Sequence, residues 1–284
     1  MVEVRDRDIE PSVRQDFESA GQCSGEAVPP RSLVVFVSDA HLGSGPDSLA
    51  RERQLCDFLD SVKDDCRQLF LLGDMFDFWF TYRHLVPRGH VRMLGKLAEL
   101  ADSGVELHFF LGNHDMWMFD YLESEMGATM HPDPETFVID GRRFLIGHGD
   151  GLGHLDKGFD LLRRIFRSRF NQRLFALLPA SWTFPVARRW SDNNKLKHAR
   201  HDMLHYLGDD REGIVVYCKE RLQHEHFDYC VFGHRHTPLA MPLADGTHYV
   251  NTGDWLLNRN YAVYSYHTHT LTLYDLQKGE LAGC

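Results

Sequence analysis

Five short apolar segments of this chain end in the same way, at side chains that can bind a metal ion. In one of them, Leu69 to Leu72 is an apolar run that breaks at Gly73 and delivers Asp74 into a loop. Open α/β sheets hold their ligands in this position, at the carboxyl ends of their strands. A single Gly-Asp after a strand indicates only a turn. Five such ends favour a shared site.

The five strand-end motifs supply carboxylates, imidazoles and one amide oxygen, without a thiolate. This set suits borderline divalent metals such as Mn²⁺, Fe²⁺, Co²⁺ or Zn²⁺ and disfavours an all-oxygen calcium site. Because seven candidate ligands exceed the four of a tetrahedral zinc, we expect two metals that share one ligand. In chain order the motifs are Asp39-x-His41, Gly73-Asp74-x-x-Asp77, Gly112-Asn113-His114-Asp115, Gly147-His148 and Gly233-His234-x-His236.

Helices and further strands are predicted between the motifs. Apolar periodicity predicts helices over residues 47–62 and 86–102, and residues 137–146 predict a hairpin around Asp140-Gly141. After the fifth motif, alternating segments predict a second sheet that closes the domain; they are residues 247–251, 261–266 and 270–276.

A long helical insertion is predicted between the fourth and fifth motifs, at about residues 152–208. From Phe159 to Leu178, apolar residues recur at three- and four-residue steps, with arginines mostly on the other faces. Residues 157–200 contain eleven lysines or arginines and two aspartates, whereas the whole chain has a net charge of −10. Two interpretations stay open: the apolar stripe contacts lipid, or it packs on the core while the arginines are solvated.

Composition excludes several classes of protein. The net charge of −10 argues against a protein that coats nucleic acid, so no nucleic-acid partner is expected. No apolar run approaches the roughly 20 residues of a membrane-spanning helix. Residues 1–32 predict a mobile tail, and residues 277–284 a C-terminal tail. The six cysteines form no Cys-x-x-Cys pair, which favours a reducing cytosol.

Taken together, the order and spacing of the five motifs resemble the calcineurin-like metallophosphoesterase superfamily over about residues 33–254. The resemblance implies an α/β fold, a four-layer αββα sandwich over residues 33–276, with the insertion as a helical cap. It also implies a metal-dependent phosphoric-ester hydrolase. Such an enzyme needs no serine or cysteine nucleophile, because two metals activate a water.

The same resemblance implies roles for individual residues. One metal is assigned Asp39, His41, Asp74 and His236, and the other Asp74, Asn113, His148 and His234, which makes Asp74 the bridge. His114 is expected to contact the phosphate and either to stabilise charge or to protonate the leaving oxygen, with Asp77 orienting it. For Asp115, an N-cap of the following helix is as plausible as a role in the site. Asp150 and Asp254 are candidate acceptors for the ligating imidazoles.

A narrower resemblance rests on Gly73 to Phe80, with its Phe78-Trp79-Phe80 run, and on the helical insertion. Both resemble the UDP-2,3-diacylglucosamine pyrophosphatase family of lipid A biosynthesis. That family implies hydrolysis of a nucleotide-sugar lipid to UMP and lipid X, usually with Mn²⁺, and a cap that receives acyl chains. It further implies a cytoplasmic protein held peripherally on the anionic surface of the inner membrane. The implied substrate contacts are Asn113, His114, Asn194 and Lys195.

One residue departs from the narrower family. Many of its members carry Arg where this chain has His114, the residue of the wider superfamily. A phosphoesterase for another nucleotide diphosphate or phosphodiester is therefore the alternative. A third hypothesis, a binding scaffold that uses this fold without catalysis, predicts lost metal ligands, and all seven are retained.

Overall fold

The computed structural model describes residues 31–154, 157–187, 189 and 206–284. Residues 1–30 of the predicted N-terminal tail lie outside this part of the chain. The helices of the described residues are α1 (Ser48–Val62), α2 (Val91–Asp102), α3 (Tyr121–Met126), α4 (Lys157–Arg167), α5 (Arg169–Ala176), α6 (180–187) and α7 (Gly213–Leu222).

The first sheet has seven strands. Its spatial order is β12-β11-β10-β1-β2-β3-β4. Strands β1 to β4 run parallel to one another, whereas β10, β11 and β12 pair antiparallel with their neighbours. Its strands are β1 (Leu33–Val37), β2 (Cys66–Leu71), β3 (Glu106–Phe110), β4 (Thr129–His131), β10 (Asn260–Ser265), β11 (Thr270–Asp275) and β12 (Gly279–Gly283).

The second sheet has five strands in the order β5-β6-β7-β9-β8, with β6, β7 and β9 parallel. The predicted hairpin around Asp140-Gly141 joins β5 and β6. Its strands are β5 (Glu135–Ile139), β6 (Arg142–Gly147), β7 (Tyr229–Phe232), β8 (Pro238–Pro242) and β9 (His248–Thr252).

Alternating side chains of the buried strands build the layers. Val35 and Val37 of β1 face a core that includes Phe58 and Leu59 of α1. Val34 and Phe36 face the other way, into a core shared with the second sheet. This follows from the two-residue period of a strand, which sends neighbouring side chains to opposite faces.

A third core lies between the second sheet and α7, where Phe232 and Tyr249 pack with Ile214 and Val215. The order of layers is therefore helices, seven-stranded sheet, five-stranded sheet, helix. The predicted four-layer αββα sandwich is confirmed. Because the central strands of each sheet are parallel, their carboxyl ends meet at one edge.

Two predictions about strands were wrong. Residues 247–251 fall in the second sheet, but the two later segments, as β10 and β11, extend the first sheet, since β10 pairs with β1. Alternation predicts that a segment is a strand but not which strand it pairs with. The predicted tail 277–284 contains β12, which pairs through its backbone with β11 although its side chains are not β-formers.

The helix predicted from Phe159 to Leu178 is also interrupted. Ser168 adopts an extended conformation, with φ −66° and ψ 118°, so α4 and α5 are separate helices. The helix predicted over 86–102 begins only at Val91. None of the described helices is long and apolar enough to cross a membrane, and the five described cysteines form no disulfide.

Candidate metal centre

The seven predicted metal ligands gather at the shared carboxyl edge of the two sheets. The ligand atoms of six of them, all but Asn113, fall into groups whose members lie within 4.8 Å of one another. One group is Asp39, His41 and His236, and a second is Asp74, His148 and His234. A third joins His41 and Asp74 to His114. The first two groups correspond to the two expected ligand sets, apart from Asn113 and the shared Asp74.

The Asp74 carboxylate lies between the two groups. Its Oδ2 is 3.8 Å from His41 Nε2 and 3.6 Å from His148 Nε2, while its Oδ1 accepts the backbone N–H of His114 at 2.8 Å. Burial alone would raise the pKa of Asp74, but the surrounding imidazoles hold the pKa below its usual value. One carboxylate therefore stays ionised and faces both groups, as a bridging ligand requires.

Asp39 is held in place by the opposite sheet. Its Oδ2 accepts the backbone N–H of His234 at 2.8 Å, and its Oδ1 lies 3.3 Å from His236 Nε2. Burial raises the pKa of Asp39, against the lowering effect of nearby imidazoles.

Three lone-pair atoms of the cluster are buried and have no hydrogen-bond partner among the described residues. They are Asp39 Oδ1, Asn113 Oδ1 and His148 Nε2. Burying such atoms unpaired is costly, whereas a cation satisfies all three. The donor set therefore fits divalent metals. Burial lowers the pKa of His148, but Asp74 and Asp39 outweigh it and raise the pKa to about 9. A metal would compete with that proton.

The backbone at the ligands is itself unusual. Five of the seven ligands have a positive φ, in the left-handed region that side-chain-bearing residues rarely adopt. Such strain concentrates at functional sites, where the surrounding structure holds it in place. The five are Asp39 (52°), His41 (42°), Asp74 (51°), His234 (69°) and His236 (52°).

Two motif glycines are required by close approach to the ligands. A Cβ on Gly233 would lie 2.7 Å from Asp39 Oδ2, and one on Gly112 would collide with Asp74 Oδ1. Neither carboxylate could keep its position beside a larger residue. The glycines in these motifs therefore make room for ligands, in addition to ending strands.

His114 packs edge-on against His41, with ring centroids 4.6 Å apart. Its Nδ1 is 2.9 Å from the backbone carbonyl of Asp77 and 3.8 Å from the Asp77 carboxylate, which lies 3.6 Å from His41 Nδ1. Asp77 does contact His114, but the hydrogen bond is made by its carbonyl oxygen, while its carboxylate lies between the two imidazoles. The contact with the Asp77 carbonyl therefore sets the orientation of the His114 ring.

Of the two alternatives for Asp115, the structure shows a role in the site. Its buried carboxylate accepts backbone N–H groups of the second and third motif loops, and burial with the nearby Asp74 charge raises its pKa to about 7. It is neither an N-cap nor a ligand, but a support that fixes the loop carrying Asp74. The donors are Asp74 (3.3 Å), Met75 (2.8 Å), Phe76 (3.3 Å) and Gly112 (2.9 Å).

The predicted acceptors for the imidazoles were wrong. Asp254 accepts N–H groups of its own loop, from Leu257 and Asn258. Asp150 pairs with Arg163, whose Nε lies 2.9 Å from Asp150 Oδ2. The acceptor for His148 Nδ1 is the carbonyl of Leu72, at 2.7 Å. Asn194 and Lys195 lie outside the described residues.

A cavity of about 440 Å³ opens beside Asn113 and His114. One wall comes from the loops after the second and third motifs, and the other from α4, α5 and α6. Trp117 crosses between them: its Nε1 donates to the Phe166 carbonyl at 2.8 Å, and its ring centroid is 4.6 Å from Phe175. The apolar lining includes Phe78, Trp117, Leu162, Phe166, Phe175, Trp182 and Val186.

Sequence reasoning singled out Phe78 but missed Trp117 and Phe175. The signal for Trp117 was its offset from the motif glycine: it lies five residues after Gly112, as Phe78 lies five residues after Gly73. Phe175 lies in a helix whose partner could not be read from its own periodicity.

Comparison with known proteins identifies the family. Residues 32–238 match the family described as calcineurin-like phosphoesterase. The chain belongs to this family. Among relatives of this phosphoesterase, a UDP-2,3-diacylglucosamine hydrolase of Porphyromonas gingivalis is 38% identical over 249 residues, which are 82% of this chain and 94% of the relative.

Two further similarities are more distant. A UDP-2,3-diacylglucosamine hydrolase of Photorhabdus laumondii is 29% identical over 221 residues, 76% of this chain and 88% of the relative. The structure of Yfce, a phosphoesterase from E. coli, is similar with a TM-score of 0.46 and 15% identity, covering 89% of this chain and 98% of that one.

Proposed function

We propose that this phosphoesterase hydrolyses the diphosphate of UDP-2,3-diacylglucosamine to UMP and 2,3-diacylglucosamine 1-phosphate. The observation that carries the proposal is the apolar cavity that opens directly beside Asn113 and His114. A substrate with acyl chains next to a phosphate matches this juxtaposition, and relatives covering most of the chain are named UDP-2,3-diacylglucosamine hydrolase.

Two divalent metals, which we propose to be Mn²⁺, would be held by the seven ligands. The first would bind Asp39, His41, Asp74 and His236; the second would bind Asp74, Asn113, His148 and His234. Bound there, they would neutralise phosphate charge and lower the pKa of a water.

His114 would contact the phosphate and donate a proton to the leaving oxygen. Its hydrogen bond to the Asp77 carbonyl at 2.9 Å fixes the ring, so Nε2 is the donating atom. Asn113 would serve both a metal and the substrate. Asn194 and Lys195 remain predicted substrate contacts. The Phe78, Trp117 and Phe175 side chains would exclude water from the acyl chains.

We further propose that the insertion docks on the anionic cytoplasmic face of the inner membrane. Helices α5 and α6 and the turn between them expose large apolar side chains: Phe170 is 74% exposed, Leu177 80% and Trp182 70%. Arg164, Arg169 and Arg173 of the same insertion are exposed beside them. Apolar side chains flanked by arginines are typical of proteins that bind at an anionic lipid interface.

The activity is tested with purified protein, Mn²⁺ and UDP-2,3-diacylglucosamine. We expect release of UMP in stoichiometric amount with the acylated sugar phosphate, and two metals per chain by elemental analysis. Hydrolysis of simple phosphodiesters alone would overturn the substrate assignment and favour the alternative, a phosphodiesterase that uses His114 as the wider superfamily does.

Membrane docking is tested by flotation with vesicles containing an anionic lipid and with neutral vesicles. The double variant Phe170→Ser, Leu177→Ser should lose most of its binding to anionic vesicles. Val138→Ser is the matched control, because Val138 is 67% exposed on a strand of the second sheet, outside the insertion. Equal binding by both variants would contradict docking through these helices.

A further inference from the structure

The insertion leaves and rejoins the domain through a narrow neck. The outgoing chain at Gly149 and Gly153 touches the returning chain at Gly213 and Ile214. A Cβ on Gly149 would lie 2.5 Å from Ile214 Cδ1, and one on Gly153 would lie 2.7 Å from Gly213 Cα. No side chain larger than hydrogen fits where the two segments cross. The neck therefore fixes the start of the insertion against His148 and His234, whose loops flank it.

One ion pair joins the outgoing side of the insertion to a ligand loop. Arg163 of α4 places its Nε 2.9 Å from Asp150 Oδ2, and the side chains are 19% and 4% exposed. Asp150 lies two residues after the candidate ligand His148. Arg163 also lines the apolar cavity. A single side chain thus spans from the wall of the cavity to the loop that carries a ligand.

A second ion pair joins the returning side to another ligand loop. Glu212, the residue before α7, places Oε2 2.9 Å from Arg235 Nε and Oε1 3.2 Å from Arg235 Nη2. Arg235 stands between the candidate ligands His234 and His236. Glu212 Oε1 also accepts the backbone N–H of Leu207 at 3.0 Å, in the returning segment.

Besides Asp150, Arg163 approaches Asp133 Oδ1 to 3.5 Å, at a carboxylate that it shares with Arg167 of α4. Arg167 binds Asp133 at 2.7 Å, but Asp133 is 61% exposed and lies in no ligand loop. Exposed pairs contribute little to stability, whereas removing one partner of a buried pair leaves an uncompensated charge and is strongly disruptive.

We propose that Arg163 and Arg235 are positioning residues that set the insertion over the metal-ligand cluster, one through the loop of His148 and the other through the loop of His234 and His236. The role rests on the proposed function for its kinetic consequence, because the substrate must reach the cavity and the cluster at once. Neither arginine needs to touch the reacting atoms.

The kinetic test compares Arg163→Ala with Arg167→Ala on two substrates, UDP-2,3-diacylglucosamine and bis(4-nitrophenyl) phosphate. A displacement of about 1 Å between binding and reacting groups can cost on the order of 100-fold in rate. We expect Arg163→Ala to lose at least about tenfold more kcat/KM on the acylated substrate than on the small ester, mainly through KM. Arg167→Ala should match the wild type on both. Arg163→Lys, which keeps the charge, should recover part of the loss.

Glu212→Ala tests the second pair without altering the residue between the ligands. It should shift the same ratio of kcat/KM values in the same direction, and Glu212→Gln should shift it less, because the amide oxygen still accepts from Leu207. Metal content at saturating Mn²⁺ should stay at the wild-type value in all variants. Loss of metal in Arg163→Ala, or equal losses on both substrates, would overturn the positioning role.

Hydrogen–deuterium exchange gives a readout that does not depend on the substrate. Arg163→Ala should speed exchange in α4 and in the loop of residues 148–153, and Glu212→Ala should speed exchange in residues 206–214. Arg167→Ala should leave residues 148–153 at wild-type rates. If wild-type protein fails to release UMP yet this pattern holds, the substrate is wrong and the coupling stands. Wild-type exchange in both test variants refutes the coupling.

Discussion

The metal-ligand cluster and the insertion differ in how their residues are held. The cluster is built from five strand ends whose loops are joined to one another by backbone hydrogen bonds, such as His41 N–H to the Asp74 carbonyl at 2.9 Å and Gly233 N–H to the His148 carbonyl at 3.0 Å. The insertion is built from short helices that keep large apolar side chains in contact with solvent.

This difference indicates which part of the molecule carries catalysis and which part carries substrate recognition. The cluster tolerates few substitutions. Most of its candidate ligands have a left-handed backbone, two of its glycines have no room for a Cβ, and each residue contacts several others of the cluster. The insertion presents a cavity whose walls are apolar side chains of similar kind, so its shape can change one residue at a time. Under the proposed function, the sandwich supplies the metal ligands and the insertion supplies the apolar wall for the acyl chains.

The strongest test of this division is Asp74→Asn. Asn tolerates the left-handed backbone of residue 74 and still accepts the His114 N–H, but it cannot supply a bridging charge. We expect metal content to fall at both positions and activity to fall by about 10³-fold or more. The control is Asp140→Asn, an aspartate with φ 52° in the β5–β6 turn. Full metal content in Asp74→Asn would contradict the bridging role.

A smaller effect is expected at His114, which lies in the cluster but outside the seven ligands. His114→Ala should keep both metals, measured by elemental analysis, and lose about 10²–10⁴-fold in kcat, the range for a positioned proton donor. Loss of metal with loss of activity would instead place His114 among the ligands. The comparison is with His41→Ala, which should lose metal.

The insertion should respond differently to the loss of one of its own side chains. Phe175→Ala removes a ring that packs on Phe78, Phe80 and Trp117. Losing about 1.5–3 kcal/mol of apolar contact should lower kcat/KM on the acylated substrate about 10–100-fold. The loss on bis(4-nitrophenyl) phosphate should be much smaller. Val138→Ala, on an exposed strand of the second sheet, is the control; equal losses on both substrates for Phe175→Ala would place Phe175 in the chemistry.

The smallest predicted effect is on the stability of the sandwich at acidic pH. Burial, together with the neighbouring His131, lowers the pKa of His108 from 6.5 to about 4. The unfolded chain therefore binds a proton that the folded chain rejects, and stability falls as pH drops from about 6.5 towards 4. We expect the loss to be on the order of 1–2 kcal/mol by pH 4.5, measured by urea unfolding. His108→Phe should reduce the pH dependence; an unchanged slope would exclude this histidine as its source.

Much of the fold and site could be predicted because the information is local. An apolar run predicts a buried strand, and a polar residue directly after that run predicts a ligand. Candidate side chains at the strand ends are found in this way, and the family resemblance selects seven of them as expected ligands. Six of these seven lie in the side-chain groups that the structure brings together. The sandwich then followed from the family to which such motifs point.

The missed features depend on partners far along the chain. Asp115 supports the backbone of residues 74–76, about 40 positions earlier, and no pattern around Asp115 predicts that. β12 forms because β11 offers an unpaired edge, while its own sequence, Gly-Glu-Leu-Ala-Gly, favours no strand. The sequence around Arg163 is that of a solvated arginine, and only the folded chain brings Asp150 into contact with it.

The hydrogen bond from His234 N–H to Asp39 joins residues 195 positions apart and links the two sheets. A contact of such sequence separation forms only after both sheets have docked, since closing a long loop costs entropy that few early contacts offset. One ligand set includes His234 and the other includes His236, so neither is complete until the ribosome has delivered the chain past β7 (Tyr229–Phe232). Metal binding is thus a late step in the folding of each chain, and it stabilises only chains that have already folded.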